Sequence, residues 1–353
     1  MTTLDEVARQ SGVSPSTVSR YLRGKLALRE ETEQRIQDAV AALGYVGNAS
    51  ARSLAAQRSG VVGLVLPGLS NPFFAALADS IADEVARHDL SLLLCTTRDV
   101  RQREEDYTNL LEGQAVDGML YLGAHPSNRR LGRVIKRGLP VVVVDEPQEQ
   151  LPPVTTLTVD NFTGGFQATS HLLDLGHRRI FYLGGPAKLG TEHERRRGYS
   201  EALTRAGIDT SADLALSGSY TETFGVSALP HILTGKVQAT AVFCASDHMA
   251  LGLMSAAHVH GVQIPDDLSV VGFDDIQLAK YTTPGLTSVR QPVQEISHTA
   301  VEMLVSRMNN PAAAPEARTL PVELIVRGSS QRIGPAVADG PNSAWEKSSR
   351  GGR

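Results

Sequence analysis

The sequence predicts an all-α head carrying a helix-turn-helix, joined to an α/β body of two doubly wound parallel-sheet halves. Three short helical segments with recognisable caps fill the first 45 or so residues. From Val61 onward, continuous apolar runs alternate with amphipathic stretches, which is the pattern of parallel strands covered on both faces by helices. The same alternation starts over near Phe162. At 353 residues the chain is also too long for one compact fold of ordinary size.

In the head, Thr3-Leu4-Asp5-Glu6 has the form of a capping box, so a helix starts there, with Leu4, Val7 and Ala8 on one face and an end at Gly12-Val13. Ser14 and Pro15 supply a second N-cap and a proline at the first helical position, opening a helix over 15–22. Its Val18 and Leu22 are expected to face inward, leaving Ser16, Thr17, Ser19 and Arg20 outside. A third helix from about Thr32 to Leu43 carries Ile36, Ala39, Val40 and Leu43 on one stripe and stops at Gly44. A glycine turn between the first two helices makes a helix-turn-helix, whose second helix is of the kind that enters the major groove. There Arg20 suits guanine O6 and N7, and the hydroxyls suit bases or phosphates. A merely solvated surface helix is the alternative.

The body reads as strand 61–66, helix 72–87, strand 90–95, helix 101–112, strand 118–122, helix 128–137 and strand 141–144. A second series follows: helix 162–175, strand 180–183, helices 194–206 and 221–233, strand 241–245, helix 247–260 and strand 268–273. Helix 293–308 returns to complete the first half. Charge is uneven. Residues 1–60 hold eight Lys or Arg against six Asp or Glu, and the remainder holds 26 against 32, a weak hint of a polyanion partner for the head. Cys95 and Cys244 are far apart, outside any metal-ligand spacing, and read as buried thiols.

Taken together, Val13-Ser14-Pro15-Ser16-Thr17-Val18-Ser19-Arg20, Leu43-Gly44-Tyr45 and Asn48-Ala49-Ser50-Ala51-Arg52-Ser53-Leu54 resemble the lactose/galactose repressor (LacI/GalR) family. The body agrees at Ser70-Asn71-Pro72-Phe73-Phe74, Leu175-Gly176-His177-Arg178-Arg179, Arg195-Arg196-Arg197-Gly198-Tyr199, Ala245-Ser246-Asp247, Gly272-Phe273-Asp274-Asp275 and Thr287-Ser288-Val289-Arg290-Gln291-Pro292. The resemblance covers about residues 2–330. It implies a headpiece over 1–47 that binds double-stranded DNA at a palindromic operator, and a hinge helix with linker over 48–60. It also implies a periplasmic-binding-protein-like body over 61–330, with one subdomain of about 61–160 plus 290–320 and the other of about 161–289 plus 321–330. On the DNA side it points to Pro15, Ser16, Thr17, Ser19, Arg20, Asn48, Arg52 and Leu54. Leu54 is the expected apolar wedge at the central base step, and Pro15 and Ser16 fall where the family varies with operator sequence.

In open α/β sheets, ligands sit beyond the carboxyl ends of the strands, here between two facing halves. For that cleft the resemblance points to Phe73, Phe74, Thr191, Arg195, Tyr220, Ser246 and Asp274. Arg195 only donates and ionised Asp274 only accepts, so the two can bracket a polyhydroxylated effector such as a sugar or sugar derivative. A simple ion pair between them is the alternative. At least one of Phe73 and Phe74 is expected in the core, and Ser246 stands where the family commonly has Asn. A homodimer is expected, because no leucine heptad is present to tetramerise the chain. The tail from about Ser329 reads as disordered, with the domain boundary placed at 331–353.

Phosphate-loop, nucleophile-elbow and zincin motifs are missing, so an enzyme, a metal site and a resident cofactor are not expected. The polar N-terminus and the lack of a long apolar run predict a cytoplasmic protein without membrane contact. The expectation is therefore a DNA-binding transcriptional regulator, a repressor, controlled by a small ligand. A solute-binding protein without DNA function is the alternative.

Overall fold

The computed structural model describes residues 3–22, 26–45, 58–112, 116–123, 125, 128–147, 151–209, 214–234 and 238–333. It divides into two compact units, Met1–Gly60 and Val61–Arg353. The hinge residues Asn48, Arg52 and Leu54, and the tail from 334 onward, lie outside the described residues.

In the first unit, α1 (Leu4–Ser11), α2 (Pro15–Leu22) and α3 (Glu30–Leu43) pack around Val7, Val18 and Ile36, all fully buried. The capping box is formed in both directions: the Glu6 amide donates to Thr3 Oγ1 at 3.3 Å, and the Thr3 amide donates to Glu6 Oε2 at 2.8 Å. Gly12 ends α1 with φ of +69°, a left-handed conformation that glycine adopts without strain. One expectation fails. Leu22 is 42% exposed, and Tyr21 takes the inward place three residues after Val18, its hydroxyl accepting from Gln37 Nε2 at 2.9 Å. The third helix starts two residues earlier than expected, with Glu30, Glu31 and Glu33 at its positive end.

The second unit contains two six-stranded sheets. The first half is built from β1 (Val61–Leu66), α4 (Pro72–Arg87), β2 (Ser91–Thr96), α5 (Arg101–Leu110), β3 (Gly118–Tyr121), α6 (Arg129–Lys136), β4 (Val141–Val144) and β5 (Thr155–Val159). The chain then crosses to α7 (Asn161–Asp174), β6 (Ile180–Gly184), α8 (Gly190–Arg205), β7 (Ala215–Ser217), α9 (Glu222–Thr234), β8 (Ala241–Cys244), α10 (Asp247–Val259), β9 (Ser269–Asp274) and β10 (Thr287–Arg290). It returns for α11 (Val293–Asn309) and β11 (Ala317–Leu320), and crosses once more to β12 (Glu323–Ile325). Strand order is β11-β5-β4-β3-β1-β2 in one sheet and β12-β10-β9-β8-β6-β7 in the other. Among the described residues every pairing is parallel except β10 with β12.

The central strands β3, β4, β6, β8 and β9 are buried along their whole length, which is why they read as unbroken apolar runs. The close approach of α7 to α8 rests on two glycines. A Cβ on Gly165 would lie 2.2 Å from the Arg195 carbonyl oxygen, and one on Gly198 would lie 2.1 Å from the Phe162 carbonyl oxygen. A further expectation is corrected at the C-terminus, where the chain stays ordered past Ser329. That side chain is fully buried, donating to the Val270 carbonyl at 2.6 Å and accepting from the Thr287 amide at 2.8 Å, and the Ile333 amide donates to the Leu175 carbonyl. Backbone pairing, which needs no leucine, holds residues 329–333.

Candidate functional site

The carboxyl ends of both sheets open onto one cavity of about 820 Å³. Residues just past β1 to β4 supply one wall, and residues past β6 to β10 supply the other. Arg195 stands in the second turn of α8, 4% exposed. Its Nε donates to Asn161 Oδ1 at 2.8 Å, its Nη1 donates to the Ala245 carbonyl at 2.6 Å, and its guanidinium lies 3.8 Å above the Phe273 ring. Arg195 lines the cavity.

Asp274 ends β9 with φ of +113°, a strained conformation for an aspartate. It is 5% exposed and accepts from Gln291 Nε2 at 2.8 Å. Burial pushes its carboxyl up to about 6, against the opposing pull of Arg195, Gln291 and Ser246. Asp145, just past β4, also has a positive φ, of +69°. Burial raises its carboxyl, and Arg195 opposes the shift. Asp247 lies behind these groups, accepting from Ser288 Oγ at 2.6 Å and the Ile276 amide at 2.9 Å. A Cβ on Gly272 would come 2.0 Å from Asp247 Oδ1, so glycine is required there.

The other expected ligand residues all line the same cavity, in different states. Phe73 is buried and in the core; Phe74 is half-buried beside it, edge-on at 5.3 Å between centroids. Tyr220 is half-buried and donates its hydroxyl to Glu192 Oε2 at 2.9 Å, while Glu192 also accepts from Tyr182 and the Gly185 amide. Ser246 caps α10, accepting from the His248 amide at 3.2 Å. Thr191 donates its hydroxyl to Glu146 Oε2 at 2.8 Å. Sequence reasoning missed Asp145, Glu146, Asn161 and Glu192, and gave Gln291 no role. Asp145 and Glu146 follow the Val141–Val144 run directly, so the carboxyl-end rule applied to that strand would have found them.

On α2, Pro15, Ser16 and Arg20 are exposed, and Thr17 and Ser19 are half-buried. Ser14 Oγ lies 2.8 Å from both the Ser16 and Thr17 hydroxyls and accepts from the Thr17 amide at 3.1 Å, which fixes the start of this helix. Among the described residues no group of His, Cys, Asp and Glu is placed to hold a metal ion, and no helix is long and apolar enough to cross a membrane.

Residues 3–48 match the family model of bacterial regulatory proteins, lacI family, and residues 169–330 match the periplasmic binding protein-like domain. The chain is 33% identical over 331 residues to the HTH-type transcriptional repressor PurR of Photobacterium profundum, covering 93% of this chain and 98% of that one. It is 32% identical over 335 residues to the HTH-type transcriptional repressor CytR of Escherichia coli, covering 94% and 97%. Among solved structures, the transcriptional regulator CelR–cellobiose complex superposes with a TM-score of 0.72 at 32% identity, over 94% of this chain and all of that one. The lac repressor dimer bound to operator and the anti-inducer ONPF superposes with a TM-score of 0.83 at 25% identity, over 94% and 99%. These relatives are transcriptional regulators, and the matched head sets aside a solute-binding protein without DNA function. The chain belongs to the lacI family of bacterial regulatory proteins, and is a DNA-binding transcriptional repressor with a helix-turn-helix head and a ligand-binding body.

Proposed function

We propose that the effector is a small polyhydroxylated molecule, a sugar or sugar derivative, bound in the cleft between the two halves of the body. The observation that carries this reading is the juxtaposition of Arg195 and Asp274. A guanidinium with unused donors lies beside a carboxylate with unused acceptor capacity on the second half's wall of the cleft, near half-buried Phe74 and Tyr220. Vicinal hydroxyls donate to one and accept from the other, and sugar faces pack on aromatic rings. The similarity to a regulator solved with cellobiose supports the same class.

Effector occupancy then sets operator affinity. Pro15, Ser16, Thr17, Ser19 and Arg20 contact the major groove, Asn48 and Arg52 the DNA at the hinge, and Leu54 wedges the central step. The working unit is a homodimer in the cytoplasm on a palindromic operator. The lac repressor's dimer on its operator supports this assembly, and so does β2, an edge strand that leaves Leu93 and Leu94 exposed. The test has two steps: a thermal-shift screen of neutral sugars and nucleosides, then anisotropy titration of a duplex selected from random DNA, with and without the stabilising compound. A hit that leaves DNA affinity unchanged would refute effector control.

A further inference from the structure

Glu146 comes from the first half of the body, two residues past β4, and is 5% exposed. Its Oε1 accepts from the Gly190 amide at 2.5 Å; its Oε2 accepts from the Thr191 amide at 3.2 Å and the Thr191 hydroxyl at 2.8 Å. Gly190 and Thr191 are the first two residues of α8, which belongs to the second half. The amides of a helix's first turn have no partner inside the helix and carry the positive end of its dipole, so they readily hold a phosphate or carboxylate. The N-cap of α8 is Leu189, whose side chain caps nothing. The missing cap comes from across the cleft.

Gly190 makes room for it. A Cβ there would lie 2.9 Å from Pro147 Cγ and 3.3 Å from Glu146 Oε1. The rest of the deep cleft has the same sign of charge. Asp145, Glu146 and Asp274 face a single buried guanidinium, Arg195, two of whose donors are already engaged by Asn161 and the Ala245 carbonyl. Arg98 and Lys188 also line the cavity but are exposed to solvent, with exposed Asp99 beside Arg98. Water screens charges in such positions.

We propose that Glu146 plugs the anion-binding end of α8 and so makes the cleft selective for uncharged ligands, excluding sugar phosphates and sugar acids. This deepens the reading of the cleft as an effector site and rests on it. An entering phosphate has to displace a buried carboxylate from three donors, in a space already bordered by Asp145 and Asp274. Removing the carboxylate frees those donors and takes away one negative charge.

The test titrates the full-length wild type, Glu146→Gln and Glu146→Ala with inorganic phosphate by calorimetry at constant ionic strength, with thermal melts in parallel. Wild type and Glu146→Gln, which keeps the volume and one acceptor, are expected to show no saturable binding. Glu146→Ala is expected to bind phosphate at least about tenfold more tightly than wild type, as several charge-assisted hydrogen bonds imply. Adding Thr191→Val, which deletes one freed donor, should weaken that new binding. Saturable phosphate binding to wild type that Glu146→Ala does not strengthen would overturn the proposal. So would a cooperatively melting Glu146→Ala protein with no gain; if that variant does not melt cooperatively, Glu146→Ser, which frees the same donors, takes its place under the same criteria. Phosphate titration does not read DNA affinity, so failure of the effector reading shows separately, as a neutral ligand with no effect on operator binding.

Discussion

Asp274 Oδ1 stands 3.8 Å from Arg195 Nη1, too far for a hydrogen bond, although both groups are buried and of opposite charge. Each is held back by other partners: Arg195 by Asn161, the Ala245 carbonyl and the Phe273 ring, and Asp274 by Gln291. A donor and an acceptor thus lie side by side on the wall that the second half contributes to the cleft, where a tight ion pair would have left neither free for a ligand.

This arrangement predicts a pH dependence. Burial holds the Asp274 carboxyl up at about 6 in the folded protein, against about 3.9 for an unfolded aspartate. Between those values the folded state binds more protons, so stability falls as pH rises. The stabilisation is full below about 4 and lost above about 6. Relative to Asp274→Asn, which cannot titrate, the wild type should lose on the order of 2–3 kcal/mol over that interval. Denaturant titrations at several pH values measure it. A stability difference between the two proteins that does not vary with pH contradicts the assignment.

Gly198→Ala should destabilise the body by about 1–3 kcal/mol and weaken ligand binding, because the new methyl meets the backbone of α7 at Phe162 and Phe166 and pushes out the helix that carries Arg195. Chemical denaturation and calorimetry with a ligand of the wild type measure the two effects. Wild-type stability would show that the helices part without cost.

Arg20→Ala should weaken specific operator binding by about 1–3 kcal/mol and leave random DNA and ligand binding nearly unchanged, as expected for loss of a base contact in a separate unit. Equal losses on operator and random duplexes would assign Arg20 to phosphate instead.

Leu94→Asp should convert the dimer to monomer in sedimentation experiments and leave the fold intact. Leu94 is 39% exposed on β2, an edge strand, and a charge there is easily solvated in the monomer but buried on pairing. A dimer that persists at micromolar concentration would place the interface elsewhere.

The strands that were legible in the sequence are those with apolar runs, buried in β1, β3, β4, β6, β8 and β9 and largely exposed in the edge strand β2. The ones that were not are β5, with alternating threonines, the three- and four-residue strands β7, β10 and β11, and the antiparallel β12. These are short or lie toward sheet edges, where pairing carries the structure more than composition does. Leu22 was misplaced because helical spacing alone cannot choose between residues three and four positions after Val18. Within the cleft, Arg195 and Asp274 were legible because motif residues surround them. The place of Glu146 just past β4 was open to the carboxyl-end rule, but its role was not, since its partners Gly190 and Thr191 are 44 and 45 residues away, in the other half of the body.

Occupancy of the cleft, read by Asp274, is proposed to set affinity for DNA, with reciprocal coupling on the order of 1–3 kcal/mol. The most direct measurement titrates an operator duplex with wild type and Asp274→Ala, each with and without a ligand identified on the wild type. The variant is expected to bind operator as the wild type does without ligand, and ligand is expected to leave its affinity unchanged. A ligand response retained in Asp274→Ala would contradict it, as would operator binding lost in the absence of ligand.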